Sequence, residues 1–479
     1  MKKTKSLPVR SLSVFMLAMI NIAAIGSVKN WPVTAEYGFA SIFYFLLGAC
    51  IFFIPLALVT AELATGIPKA GGVFAWVKEA FGHRVGFLAI WLQWVENVIW
   101  YPTILSFIAA ACAYAIEPSL ADNKLYITLL ILVVFWGATL ANLFGTKASG
   151  WISAISVILG AFIPAALIIT LGCIWYTTDQ PLQITLSWDS FIPKWQSVDD
   201  LVFFCGVMLS LCGIEMSAVH VREVKNPKSD FPRAILLTGV ILIVLSILGV
   251  LSIASIVPQK EINLLSGSVQ TFAYFVNAYD LNWLTPIMAA LVAIGAFGAM
   301  STWIVGPTKG LLAAAQSGDL PPYFRMINSR RIPARLLLVQ AIIVTILALI
   351  FLLMPSLSSA FWILTAMTVQ IYLIMYILMF AAAIKLRYTQ PRLQRPYKIP
   401  GGKLGIWIVS GLGIISSAFA ILIGFFPPSQ IPTGNIYFYV ALLILSIVVT
   451  CIAPSIILRF QKPYWKKRLA HEQSEDTIF

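Results

Sequence analysis

Leu211-Cys212-Gly213-Ile214-Glu215-Met216-Ser217 puts a glycine and an acid inside an apolar run otherwise long enough to cross a bilayer. Glycine weakens a helix by ~1 kcal/mol relative to alanine, and small or polar residues follow the acid, so the spacing predicts a local break. The first apolar run is interrupted in the same way at Ala24-Ile25-Gly26-Ser27-Val28, followed by Lys29, Asn30 and Pro32. Two interrupted helices five spans apart indicate paired halves. Broken membrane helices expose N–H groups at one half-helix end and carbonyls at the other, near the midplane. The N–H end attracts a carboxylate and the carbonyl end an ammonium, so a zwitterionic amino acid matches such a site. The alternative is that these glycines only let helices pack closely.

Composition requires a membrane around this stretch. The 479 residues are 60% hydrophobic and 11% charged, against roughly 25% charged in an average soluble domain. Mean hydropathy is +0.90, so the bilayer is the solvent for most side chains, which excludes soluble enzymes, nucleic-acid modules and disordered tails. With ~20 apolar residues needed per crossing, the chain reads as twelve spans. They cover about 11–35, 39–66, 84–116, 124–143, 148–175, 198–224, 232–256, 284–316, 334–353, 357–388, 404–426 and 435–459. Span one has no small-residue cleavage site and is expected to stay as an anchor.

The net charge of +13 follows from topology rather than from a nucleic-acid partner. All 32 Lys and Arg except Lys29, Lys124, Lys194 and Lys260 fall on one side if both termini are cytoplasmic. The expectation is a multi-pass protein of the cell (inner) membrane with a cytoplasmic N-terminus at 1–10 and a single transporter domain at 11–459. A short cytoplasmic tail covers 460–479. Connections are short, the longest being about 28 residues between spans seven and eight. The six cysteines sit singly in apolar runs, so neither a disulfide framework nor a metal site is indicated.

An ionised side chain at mid-bilayer costs several kcal/mol, so acids within spans are functional candidates. Glu62, Glu96 and Glu215 are the three. Glu215 reads as a proton-linked or gating carboxylate, or else as a buried acid held by a structural partner. Glu96, beside Asn97, is expected to face the same cavity as Lys29 or to pair with it. Lys29 alternatively snorkels to the outer interface. Glu62, near the inner end of span two, reads as structural or as part of an inner gate. His220 reads as a contact with headgroups or backbone, without partners for a metal.

Pro68-Lys69-Ala70-Gly71-Gly72-Val73-Phe74-Ala75-Trp76, after Ala61-Glu62-Leu63-Ala64, resembles the signature of the amino acid-polyamine-organocation transporter superfamily. Asn226-Pro227 with Phe231-Pro232-Arg233-Ala234, Asp319-Leu320-Pro321-Pro322, and Arg395-Pro396-Tyr397-Lys398-Ile399-Pro400-Gly401-Gly402 match in order along nearly the whole chain. Thr302-Trp303-Ile304-Val305-Gly306-Pro307 and Ile371-Tyr372-Leu373 with Tyr376 are most similar to the bacterial glutamate/γ-aminobutyrate antiporter branch. That resemblance implies twelve helices, the first ten as two inverted five-helix repeats (about 11–175 and 198–388) with discontinuous helices one and six, plus helices eleven and twelve at 404–459.

It also implies substrate exchange by alternating access with no cofactor. Carried over by position, Ile25, Gly26 and Ser27 would meet the substrate carboxylate, with Gly26 and Ser27 offering amides. The carbonyls around Leu211, Cys212 and Gly213 would take its ammonium. Glu215 would couple binding to gate movement, Trp303 would be an aromatic platform, and Tyr372 and Tyr376 would line the opposite wall or the inner gate. Two departures stand out. The branch has an acid four residues before the helix-eight tryptophan where this chain has Ala299, and a longer C-terminal extension. Lys29 adds a cation suited to a second carboxylate. The reading is an amino acid antiporter, with a small amino acid and the bilayer as partners and a homodimer left open. The rivals are a proton-coupled symporter using Glu215 or Lys147, and a sensor that binds without flux.

Overall fold

The structure, a computed structural model, describes residues 12–69, 71–143, 158–193, 199–221, 224–330, 332–429, 431 and 433–466. Among them ten helices are long and apolar enough to cross a bilayer: Gly38–Gly66, His83–Ile116, Lys124–Leu143, Ile158–Thr177, Asp230–Ile256, Leu284–Gln316, Ala334–Leu353, Leu357–Thr389, Gly402–Ile423 and Ile436–Arg459. These are spans two to five and seven to twelve, with ends shifted by a few residues. The start of span five and Lys147 lie outside the described residues.

Spans one and six are the interrupted pair. Span one runs Val14–Ile25, leaves the helix at 26 and 27, makes a 3-10 turn over Val28–Asn30 and resumes as Trp31–Ala35. Span six runs Phe204–Ser210, opens over 211–213 and continues as 3-10 helix over Ile214–His220. The protein is therefore an all-α, multi-pass membrane protein with discontinuous helices one and six. Their ends on the N-terminal face are tied by a parallel bridge between Leu12 and Val224, with Lys225 N–H donating to the Leu12 carbonyl at 3.3 Å.

Burial follows polarity, as a hydrocarbon solvent dictates. Of these ten helices, spans three and ten are the most enclosed and span twelve the least. Span three carries buried Gln93, Glu96, Asn97, Thr103 and Ser106, and span ten carries buried Thr365, Thr368, Gln370, Tyr372 and Tyr376. Span twelve is apolar on nearly every face and can meet lipid. Close crossings use glycine: a Cβ on Gly160 would fall 2.2 Å from Gly295 Cα, so spans five and eight touch backbone to backbone.

The connection between spans seven and eight, read as a loop, contains the helix Gly267–Ala278. Twelve residues are too few to cross the bilayer, so the length criterion passes over it. It packs by Val269, Phe272, Phe275 and Val276, and Ser268 Oγ donates to the Val28 carbonyl at 2.8 Å, fastening it to the break in span one.

Candidate functional site between the two helix breaks

Gly213 forms the break in span six because its backbone is left-handed, at φ +107°. A side chain there would also meet Trp303 ring carbons at 3.2 Å and Ile25 Cγ1 at 3.5 Å. Span eight and the end of the first half of span one therefore both press on this residue. The Gly213 N–H, freed from the helical ladder, donates to Tyr376 Oη at 2.8 Å.

Tyr376 passes that bond on. Its Oη donates to Glu215 Oε2 at 2.6 Å, Tyr372 Oη donates to Glu215 Oε1 at 2.6 Å, and Gln93 Nε2 donates to the same oxygen at 3.0 Å. The two tyrosine rings stack at 4.6 Å between centroids. Glu215 is 3% exposed, and all of these partners are donors. Such a shell suits an ionised carboxylate, which only accepts hydrogen bonds.

Beside this cluster, on the side away from the N-terminal face, lies a cavity of ≈ 70 Å³. That is small against the ~300 Å³ of an open ligand pocket, so its walls stand close together. Span one lines it with Ile25, Gly26, Ser27, Lys29 and Asn30, span three with Glu96, Asn97 and Trp100, and span six with Leu209, Ser210 and Cys212. Span seven adds Leu242 and Ser246, span eight Trp303 and span ten Tyr372.

Lys29 is 1% exposed, so it does not snorkel. Its Nζ donates to Thr103 Oγ1 at 2.8 Å and lies 5.1 Å from the Phe361 ring centroid and 5.6 Å from that of Trp100. It forms no ion pair with Glu96 within 4 Å; the two face one cavity without pairing. Glu96 is 2% exposed, and neither its Oε1 nor Asn97 Oδ1 has a hydrogen-bond partner among the described residues.

The sequence-expected residues thus divide. Ile25, Gly26, Ser27, Lys29, Glu96, Asn97, Cys212, Trp303 and Tyr372 line the cavity, whereas Leu211, Gly213, Glu215 and Tyr376 stand behind its wall. Two details correct the expectation. The Gly26 amide is not free, since it donates to the Ile22 carbonyl at 2.7 Å, because the last turn of the first half-helix closes over it. Glu215 does not line the cavity; Tyr372, which does, donates its hydroxyl to it. The structure adds Gln93, Trp100 and Thr103, which with Glu96 and Asn97 recur at intervals of three and four along one face of span three, a stripe visible in the sequence. Leu242 and Ser246 carry no comparable signal.

Toward the N-terminal face, Glu62 is caged by two arginines. Arg387 Nε and Nη2 each donate to its carboxylate at 2.5 Å, Arg395 Nε lies 3.2 Å away, and the Ile399 N–H donates at 2.8 Å. This fork joins span two to span ten and to the segment that follows it. Glu62 thus ties these segments together and does not line the cavity.

A family model described as "Amino acid permease" matches residues 10–451. The chain is 43% identical over 443 residues to an uncharacterized transporter of Legionella pneumophila, covering 92% of this chain and 95% of that one. It is 33% identical over 453 residues to a glutamate/gamma-aminobutyrate antiporter of Lactococcus lactis, covering 94% and 90%. It is 24% identical over 345 residues to a cadaverine/lysine antiporter of Escherichia coli, covering 70% of each.

Proposed function

The chain belongs to the amino acid permease family, and on that premise we propose that it is an antiporter exchanging an amino acid for a related amino acid or amine by alternating access. The observation that carries this reading is the meeting of two broken helices at one cavity lined by a buried cation, Lys29, and a buried acid, Glu96. Peptide groups released at the breaks, together with these two charges, suit a small molecule that has both an ammonium and a carboxylate. The names of two relatives point the same way: glutamate and γ-aminobutyrate differ by one carboxylate, as do lysine and cadaverine. Lys29 supports a substrate with a second carboxylate, hence a glutamate-like one.

Side-chain clusters stand on either side of the cavity. Toward the N-terminal face, Glu215 with Tyr372, Tyr376 and Gln93 forms a floor, and the Glu62 fork lies beyond it. Toward the other face, Lys29 with Thr103, Trp100 and Phe361 forms a roof. Exchange requires that floor and roof open in turn as spans one, two, six and seven rock against the rest, with no covalent chemistry. The clustering of Lys and Arg on one face supports cytoplasmic termini in an inner membrane.

Counterflow in proteoliposomes tests the reading. Labelled glutamate or γ-aminobutyrate should enter only vesicles preloaded with one of the two. Uptake into empty vesicles driven by a pH gradient would instead make it a symporter, and binding without flux would make it a sensor.

A further inference from the structure

Seven groups in or beside the cavity can carry charge or ionise. Lys29 comes from span one, Cys212 and Glu215 from span six, Tyr372 and Tyr376 from span ten and Glu96 from span three, with Tyr101 a little more than one turn further along span three. Trp303 of span eight and Leu242 and Ser246 of span seven complete the wall without adding one. Lys29 is held by Thr103 and two rings, and Glu215 by three donors. Glu96 lines the cavity and is almost fully buried, and it differs from both in presenting a carboxyl oxygen that nothing in the described structure satisfies.

A bare carboxylate there is costly, as is any buried charge without a partner. Two small species can relieve it, a proton on the oxygen or an ammonium against it. The two exclude each other, because a protonated carboxyl has lost the charge that holds an ammonium. Asn97 Oδ1, unpartnered on the next residue of the same wall, offers a second acceptor that an ammonium with three N–H donors can use and a single proton cannot.

We propose that Glu96 is a proton-or-ammonium site: it carries a proton when the cavity holds no amine and gives it up when the ammonium of a substrate docks against Glu96 and Asn97. The ligand class is a primary ammonium, borne by an amino acid or an amine. The proposal rests on the exchange reading and adds to it that binding of an amine releases a proton, which leaves the site as a proton to solvent while the carboxylate-ammonium contact forms. Glu215, saturated by its own donors, takes no part in that step.

Calorimetric titration of the purified protein with γ-aminobutyrate, in two buffers of different ionisation enthalpy, counts protons released on binding. The wild type should release about one proton per molecule bound. Glu96→Gln should bind about tenfold more weakly and release none. Asn97→Ala should bind more weakly yet still release the proton, which separates loss of the acceptor from loss of the acid. Glu96→Asp, the variant to use if Glu96→Gln fails to fold, should keep the release. No release by the wild type, or equal release by Glu96→Gln, overturns the proposal while leaving exchange intact. Absence of counterflow with any amino acid overturns the exchange reading itself.

Discussion

Tyr376 and Glu215 are joined by a 2.6 Å hydrogen bond from span ten to the 3-10 stretch of span six, and the same hydroxyl accepts the Gly213 N–H at 2.8 Å. One phenol thus satisfies both a freed backbone donor and a buried acid. Tyr376→Phe leaves the amide unpartnered and removes one of the donors to Glu215. A loss of about 1–3 kcal/mol of stability is expected, read as a lowered melting temperature in detergent. An unchanged melting temperature would show that the break holds itself open without Tyr376.

The packing of Gly213 gives a second test. Gly213→Ala forces a left-handed backbone on a residue with a Cβ and drives that Cβ to 3.2 Å from Trp303. Strain of about 1–3 kcal/mol should follow, and counterflow should fall together with the melting temperature. A variant that exchanges at wild-type rate would mean the break tolerates a conventional backbone.

Lys29 is the cation of the cavity, so Lys29→Met should cost a dicarboxylic substrate more than a monocarboxylic one. We expect inhibition of counterflow by glutamate to weaken about tenfold relative to inhibition by γ-aminobutyrate. Equal weakening for both would make Lys29 a packing element of the roof.

The Glu62 fork predicts a large stability effect. Glu62→Gln leaves Arg387 and Arg395 facing each other without their shared anion, and breaking a buried ion pair from one side costs about 3–5 kcal/mol. Thermal unfolding should reveal it. Wild-type stability would mean that water reaches the arginines from the N-terminal face.

Glu36, just past span one, supplies a pH dependence. Burial pushes its carboxyl up to about 7. The folded state therefore holds a proton that the unfolded chain releases near the ordinary value of 4.5. Stability should fall as pH rises from 4.5 to about 7 and level off above it. Glu36→Gln should flatten this part of the profile, and a slope unchanged by the substitution would assign it to another group.

The architecture was legible because hydrocarbon imposes a length: uninterrupted apolar runs fixed ten spans, and Gly26-Ser27 and Cys212-Gly213 marked the two that break. The partners were not. Gln93 reaches Glu215 across 122 positions of sequence, and Tyr376 reaches Gly213 across 163. Apolar patterning says which face of a helix is inside and nothing about which residue it finds there. The amide of Gly26 illustrates the same limit, since whether a half-helix ends by capping itself or by offering its donors depends on φ and ψ at one residue.

Thr103, the hydrogen-bond partner of Lys29, lies 74 positions further along the chain. When span one first leaves the ribosome it carries a lysine and an unfinished helix, and a lysine within a span costs up to about 2.5–3.5 kcal/mol during insertion, most at the span's centre. Span one is thus a provisional guest of the bilayer until the third crossing is synthesised and shelters its ammonium. Its final seating is a late event in biogenesis even though its residues are made first.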